Sequence, residues 1–160
     1  MSNINNENTT TLNNVLSLDS FRGRSTTSLS DWRDKRVDDV KKIGLGLTSD
    51  YPFQGEINPR IINHSIEFIK SQSMLLQNPE IGINADGSIL LEWVLKNAYN
   101  ILTIGSVIFN GNHIIYSIFK DGRVEAKGAS DFTDKSIEMI ADLLSDYFQR
   151  ETYDSQSFSR

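Results

Sequence analysis

The sequence predicts an α+β fold: a four-stranded antiparallel meander with two long helices packed on one face, preceded by a disordered N-terminal arm. Three observations carry this expectation. After the turn signal Asp86-Gly87, the residues Ile89, Leu91, Trp93 and Leu95 alternate with Leu90, Glu92, Val94 and Lys96, a period-two ribbon with one wholly apolar side. Two further turn signals, Asn110-Gly111 and Asp121-Gly122, separate the apolar runs that follow, and links so short join only antiparallel neighbours. Amphipathic helical stripes flank this block, one after Asn58-Pro59 and one after Thr133.

Taken in order, residues 1–29 are rich in Asn, Ser and Thr, with Leu12, Val15, Leu16 and Leu18 as the apolar patch. So little burial does not offset the entropy of ordering the chain, and a disordered arm is expected, with Phe21, Arg22 and Arg24 in its solvated part. Residues 30–55 read as a short helix and connector. Ser30-Asp31 supplies an N-cap, Val37, Val40 and Ile43 a stripe, and Gly44 and Gly46 a stop before the irregular Tyr51-Pro52-Phe53 stretch.

The α+β domain is expected over residues 56–150. Asn58 caps its first long helix and Pro59 opens it, the stripe Ile62, Ile66, Ile69 and Leu76 faces the core, and Pro79 ends it. Strands are expected over 89–96, 99–109, 113–119 and 123–127. Asn110-Gly111 predicts a type I′ turn with positive φ at both positions. Asp131 or Thr133 caps the last helix, which turns Ile137, Ile140, Ala141, Leu144 and Phe148 inward, with Met139, Leu143 and Tyr147 widening the stripe. Residues 151–160 are polar and read as a frayed tail.

Composition narrows the function. The chain of 160 residues carries a formal charge of −5, which argues against a nucleic-acid-coating protein, because phosphate binding needs concentrated Lys and Arg. There is no cysteine, so disulfides, thiolate metal sites and cysteine nucleophiles are excluded. No signal-peptide pattern and no apolar run of membrane-spanning length is visible, and a cytoplasmic location is the expectation.

The segment Pro79-Glu80-Ile81 followed by Asp86-Gly87-Ser88-Ile89-Leu90-Leu91-Glu92-Trp93 resembles a pattern in small uncharacterised bacterial proteins, in which a helix leads through a Pro-containing link into a DG-x-I-x-LEW strand. Trp32-Arg33-Asp34 is a loose counterpart of a tryptophan that those proteins carry upstream. The resemblance covers about half of this chain. It implies a shared sheet and a bacterial or mobile-element origin, and it carries no activity.

Tests for catalytic chemistry return little. His64 and His113 are the two imidazoles, and no zinc, calcium, P-loop, nucleophile-elbow or dinucleotide motif occurs, so no cofactor and no metal site is expected. The sharpest enzymatic alternative is a metal-dependent nuclease using Glu125-Ala126-Lys127 as an E-x-K element, with Asp121 as the nearest further carboxylate. Tyr99, Phe109, Tyr116 and Phe119 are interleaved with few basic residues, so a stacking platform for RNA is disfavoured. The leading expectation is a non-enzymatic cytosolic interaction module of inhibitor, immunity or antitoxin-like type. It meets a protein partner through the open sheet face, an edge strand or the N-terminal arm, with Trp32, Glu92, Lys96 and Arg123 as contact residues. A structural homodimer joined through residues 123–127 or the open face is the remaining alternative.

Overall fold

The computed structural model describes residues 31–47 and 55–149. The arm at 1–29, the Tyr51-Pro52-Phe53 stretch and the tail at 151–160 lie outside the described residues, as do the expectations attached to them.

The first helix, α1 (Trp32–Gly44), is capped by Asp31, whose side chain accepts from the backbone N–H of Arg33. Its Trp32, Val37, Val40 and Ile43 are buried. Gly46, at φ 67°, ends it in the left-handed region that glycine enters without steric cost, while the Leu47 N–H donates back to the Lys42 carbonyl. At 13 residues it is as long as the second helix, so the expectation of a short helix beside two long ones is corrected. α1 belongs to the same compact unit as the sheet, and two arginines pin it there. Arg33 Nη1 donates to the Gln72 carbonyl at 2.7 Å, and Arg36 Nε donates to the Pro79 carbonyl at 2.8 Å and to Asn78 Oδ1 at 3.0 Å.

The second helix, α2 (Pro59–Ser71), starts as the sequence predicts, with Asn58 accepting from the Arg60 N–H and Pro59 in the first turn. Its end and its rotation both differ from expectation. The helix stops at Ser71, eight residues before Pro79, because Ser71 Oγ and Gln72 Nε2 both donate to the Phe68 carbonyl and draw the last turn onto side chains. The buried line is Ile61, Ser65, Phe68 and Ile69, whereas Ile62 and Ile66 are half-buried. Ile62 packs toward α1, where its side chain would meet a Cβ on Gly44 at 3.2 Å. Leu76 is buried outside the helix, in a bridge with Gln149.

The sheet has five antiparallel strands in sequential order, not four. Strand β1 (Glu80–Ile83) precedes the expected set and pairs with β2 (Ile89–Lys96). The Asp86-Gly87 signal is therefore the turn of a hairpin rather than the entry to a first strand. Asp86 Oδ1 accepts from both the N–H and the hydroxyl of Ser88, at 2.9 and 2.6 Å, and these bonds hold its carboxyl below the usual carboxylate range.

Strand β3 (Leu102–Asn110) begins three residues later than expected, since Tyr99 lies in a turn built on Asn97 and is 83 % exposed. Strands β4 (His113–Lys120) and β5 (Arg123–Asp131) complete the meander. At the β3–β4 turn the two linking residues are Gly111 and Asn112, and only Gly111 has positive φ, the pattern of a type II′ rather than a type I′ turn. Positive φ at both positions occurs one hairpin later, at Asp121 (53°) and Gly122 (79°).

The last helix, α3 (Asp134–Phe148), is capped by Thr133, not by Asp131, which ends β5. Ile137, Ile140, Leu144 and Phe148 are buried, Leu143 and Tyr147 are partly so, and Met139 is exposed. The helices lie on one side of the sheet. Ile89, Leu91, Trp93, Val107, Phe109, Ile114 and Ile118 point into that side and are closed by Phe68 of α2 and Phe148 of α3. Each such side chain removed from water contributes roughly 1.5–3 kcal/mol before entropy is set against it. The Trp93 indole N–H donates to the Gln77 carbonyl at 2.7 Å, so the donor of this buried ring is met.

Candidate functional site

The helix-free side of the sheet is built by alternation. Every second residue of each strand enters the core, so the intervening residues form straight rows across the opposite side, and the register names them. One row runs Gly82, Leu90, Ile108, Ile115 and Ala129. A second runs Val94, Ile104, Phe119 and Val124. Between them lies a polar row, Glu80, Glu92, Ser106, Ser117 and Lys127, whose two hydroxyls are hydrogen-bonded at 2.8 Å. Two apolar stripes thus flank one polar stripe that is acidic at its β1 end and basic at its β5 end.

No described element covers this face. Val124 is 50 % exposed, Val94 49 % and Phe119 37 %. Glu80 stands directly opposite Glu92 on neighbouring strands, an arrangement that disfavours the isolated sheet through like-charge repulsion. Neither carboxylate, nor Lys127, has an ion-pair partner among the described residues.

The edges are less receptive than the face. β1 is four residues long, and β5 carries a bulge between its pairings with Ile118 and Phe119 together with Arg123, Glu125, Lys127 and Asp131. Short length, bulges and charge all discourage strand addition.

Of the expected contact residues, Glu92 and Lys96 share the open face, Lys96 at its rim opposite Leu102. Arg123 does not join them, because it pairs with Lys120, which faces Thr103 on the helix-covered side. Trp32 is 3 % exposed in the core, so it is a packing residue and not a surface anchor. The nuclease set is not gathered either. Ala126 pairs with Ile118 and Val124 with Phe119, leaving Glu125 as the extra residue of the bulge; its carboxylate accepts from the Tyr147 hydroxyl of α3 at 3.0 Å. Lys127 meanwhile faces the open side and Asp121 sits in the turn with its N–H donated to the Leu102 carbonyl. Among the described residues, no three His, Asp or Glu side chains come together as a metal set.

The histidines serve the β3–β4 hairpin. His64 stacks on Phe132 with ring centroids 4.0 Å apart, and this burial lowers its pKa, Glu67 acting in the opposite sense and Arg60 in the same one. His113 Nδ1 lies 3.3 Å from Asp131 Oδ1 beside a groove of about 740 Å³ at the hairpin turn. Sequence reasoning missed Ile104, Ile108, Ile115 and Val124 as surface residues. Their signal was present, as the apolar members on the wrong parity of each strand.

The fold and face define a class: an open-faced α+β sandwich, helices on one side and, among the described residues, an uncovered striped sheet on the other. No protein-family model, curated protein or solved structure matches the chain. No helix among the described residues is long and apolar enough to cross a membrane.

Proposed function

We propose that this protein is a non-enzymatic interaction module that binds a protein partner through the open face of its sheet. The supporting observation is the pair of contiguous apolar rows displayed on a rigid, hydrogen-bonded surface. Single exposed apolar residues are ordinary, whereas contiguous patches rimmed by polar groups mark binding surfaces. An inhibitor, immunity or antitoxin-like protein works this way, occluding its partner with a preformed face that loses little entropy on binding.

The test is side-by-side capture from the native host with full-length wild type and an Ile115→Asp/Phe119→Asp variant. A carboxylate under each apolar stripe is expected to weaken capture by roughly 30-fold or more, the size of a lost central anchor. Both side chains are only about one-third exposed on the interior strand β4, so the variant is expected to melt a few degrees lower, and far-UV circular dichroism at the capture temperature checks that it is folded. Equal recovery of the same proteins by wild type and variant would remove the face from the account.

A further inference from the structure

We propose that the occupant of the open face is a second copy of the chain, packed face to face about a twofold axis that runs along β3, parallel to the strands. The inference rests on the reading of that face as the binding surface and specifies what it binds.

The rows decide the geometry. A twofold axis along the strands turns the sheet over and reverses strand order while leaving each row at its own height. Apolar row then meets apolar row and polar row meets polar row. Ile108 lies over the partner copy's Ile108 and Ile104 over its Ile104, while Leu90 faces Ile115 and Val94 faces Phe119 across the interface. Along the polar row, the reversal lays Lys127 of each copy over Glu80 of the other, and Glu92 over Ser117. A twofold perpendicular to the strands would instead stack Lys127 on Lys127 and Glu80 on Glu80. Charge therefore selects one of the two aligned packings.

The same pairing answers the like-charge contact between Glu80 and Glu92, which has no cation among the described residues. Strands spaced about 4.8 Å apart put Glu80 and Lys127 about 10 Å from the axis. The usual angle of about 30° between packed sheets displaces the row ends there by about 5 Å, within reach of two long, flexible side chains. Five strands of up to nine residues present a flat area on the order of 600 Å² per copy. Twice that is about 1,200 Å², the lower end for specific complexes, so a reversible dimer is expected rather than an obligate one.

The test uses sedimentation equilibrium on the full chain at up to about 100 μM, with Lys127→Glu, Glu80→Lys and an equimolar mixture of the two variants. Wild type is expected to approach twice the 18.1 kDa chain mass. Each single variant places like charges at both ends of the row and is expected to dimerise about tenfold more weakly or worse. In the mixture every copy with Lys at 80 meets a copy with Glu at 127, so the dimer is expected to return. A wild-type dimer indifferent to both variants, or a mixture that stays as weak as its components, would overturn the proposal. So would a monomeric wild type; in that case a host partner lost with Ile115→Asp/Phe119→Asp would still uphold the binding-face reading, and its absence would end both.

Discussion

Replacing Gly105 by alanine is expected to destabilise the protein by about 1–2 kcal/mol, although alanine is the better strand residue. An ideal Cβ on Gly105 would lie 2.6 Å from Cε2 and 3.0 Å from Cζ of Phe148. Carbon atoms rest about 3.5–4.0 Å apart, so the ring must retreat by about 1 Å. It has nowhere to go: Phe148 is fully buried, with Trp93 at 6.3 Å between ring centroids on the same side. Forcing an extra methyl into such a site costs about 1–3 kcal/mol, and removing a strand glycine returns about 0.5–1 kcal/mol. Urea unfolding at constant m should show the midpoint lowered by about 0.5–1 M. In a Phe148→Leu background the same substitution should cost almost nothing, because the atoms it strikes are gone. An unchanged or raised midpoint in wild type, or an equal cost in both backgrounds, would refute the claim that Phe148 seals the sheet through this glycine.

Two further outcomes follow from the packing. Arg36→Ala removes the donors to Pro79, Asn78 and Asp39 from a side chain only 12 % exposed, and is expected to cost about 2 kcal/mol. Hydrogen exchange should show α1 losing protection while β2 and β3 keep theirs; uniform loss would mean that α1 is not held separately. Burial lowers the His64 pKa below 6.5, so the folded state favours the neutral ring. Its contribution to stability is complete above pH 6.5 and is lost as pH falls below that value, where the unfolded chain takes up the proton first. His64→Phe, which keeps the stack on Phe132, is expected to gain on wild type progressively below pH 6.5; a constant difference between pH 8 and pH 5 would contradict this.

Local chemistry was legible where a few adjacent residues suffice. Asp31, Asn58-Pro59 and Thr133 mark their helix starts because a cap is satisfied within three residues. Asp121-Gly122 makes the type I′ turn that such a pair favours, whereas at Asn110-Gly111 the pairing of Asn110 with His113 moves the turn one residue on. β1 escapes a sequence reading because the four residues Glu80–Ile83 after Pro79 make a weak run by themselves, and they become a strand only when β2 offers its edge.

The amino-acid sequence by itself determined the α+β class, the antiparallel order of the strands and the parity that buries Trp93, since these follow from periodicities of 2 and 3.6 and from turns too short for a crossover. Only the tertiary structure decided which of α2's apolar residues meet the sheet, because α1 claims Ile62 and leaves Ile61 and Phe68 for the core. It also decided that Glu125 leaves its strand's face, because one extra residue in β5 shifts the register there. The candidate site belongs to this second kind. Leu90, Ile108, Ile115 and Ala129 are scattered over 40 positions of sequence and become one stripe only when four strands align, as do the acidic and basic ends of the row beside it. A row across a sheet is perpendicular to the chain, and no window along the chain contains it.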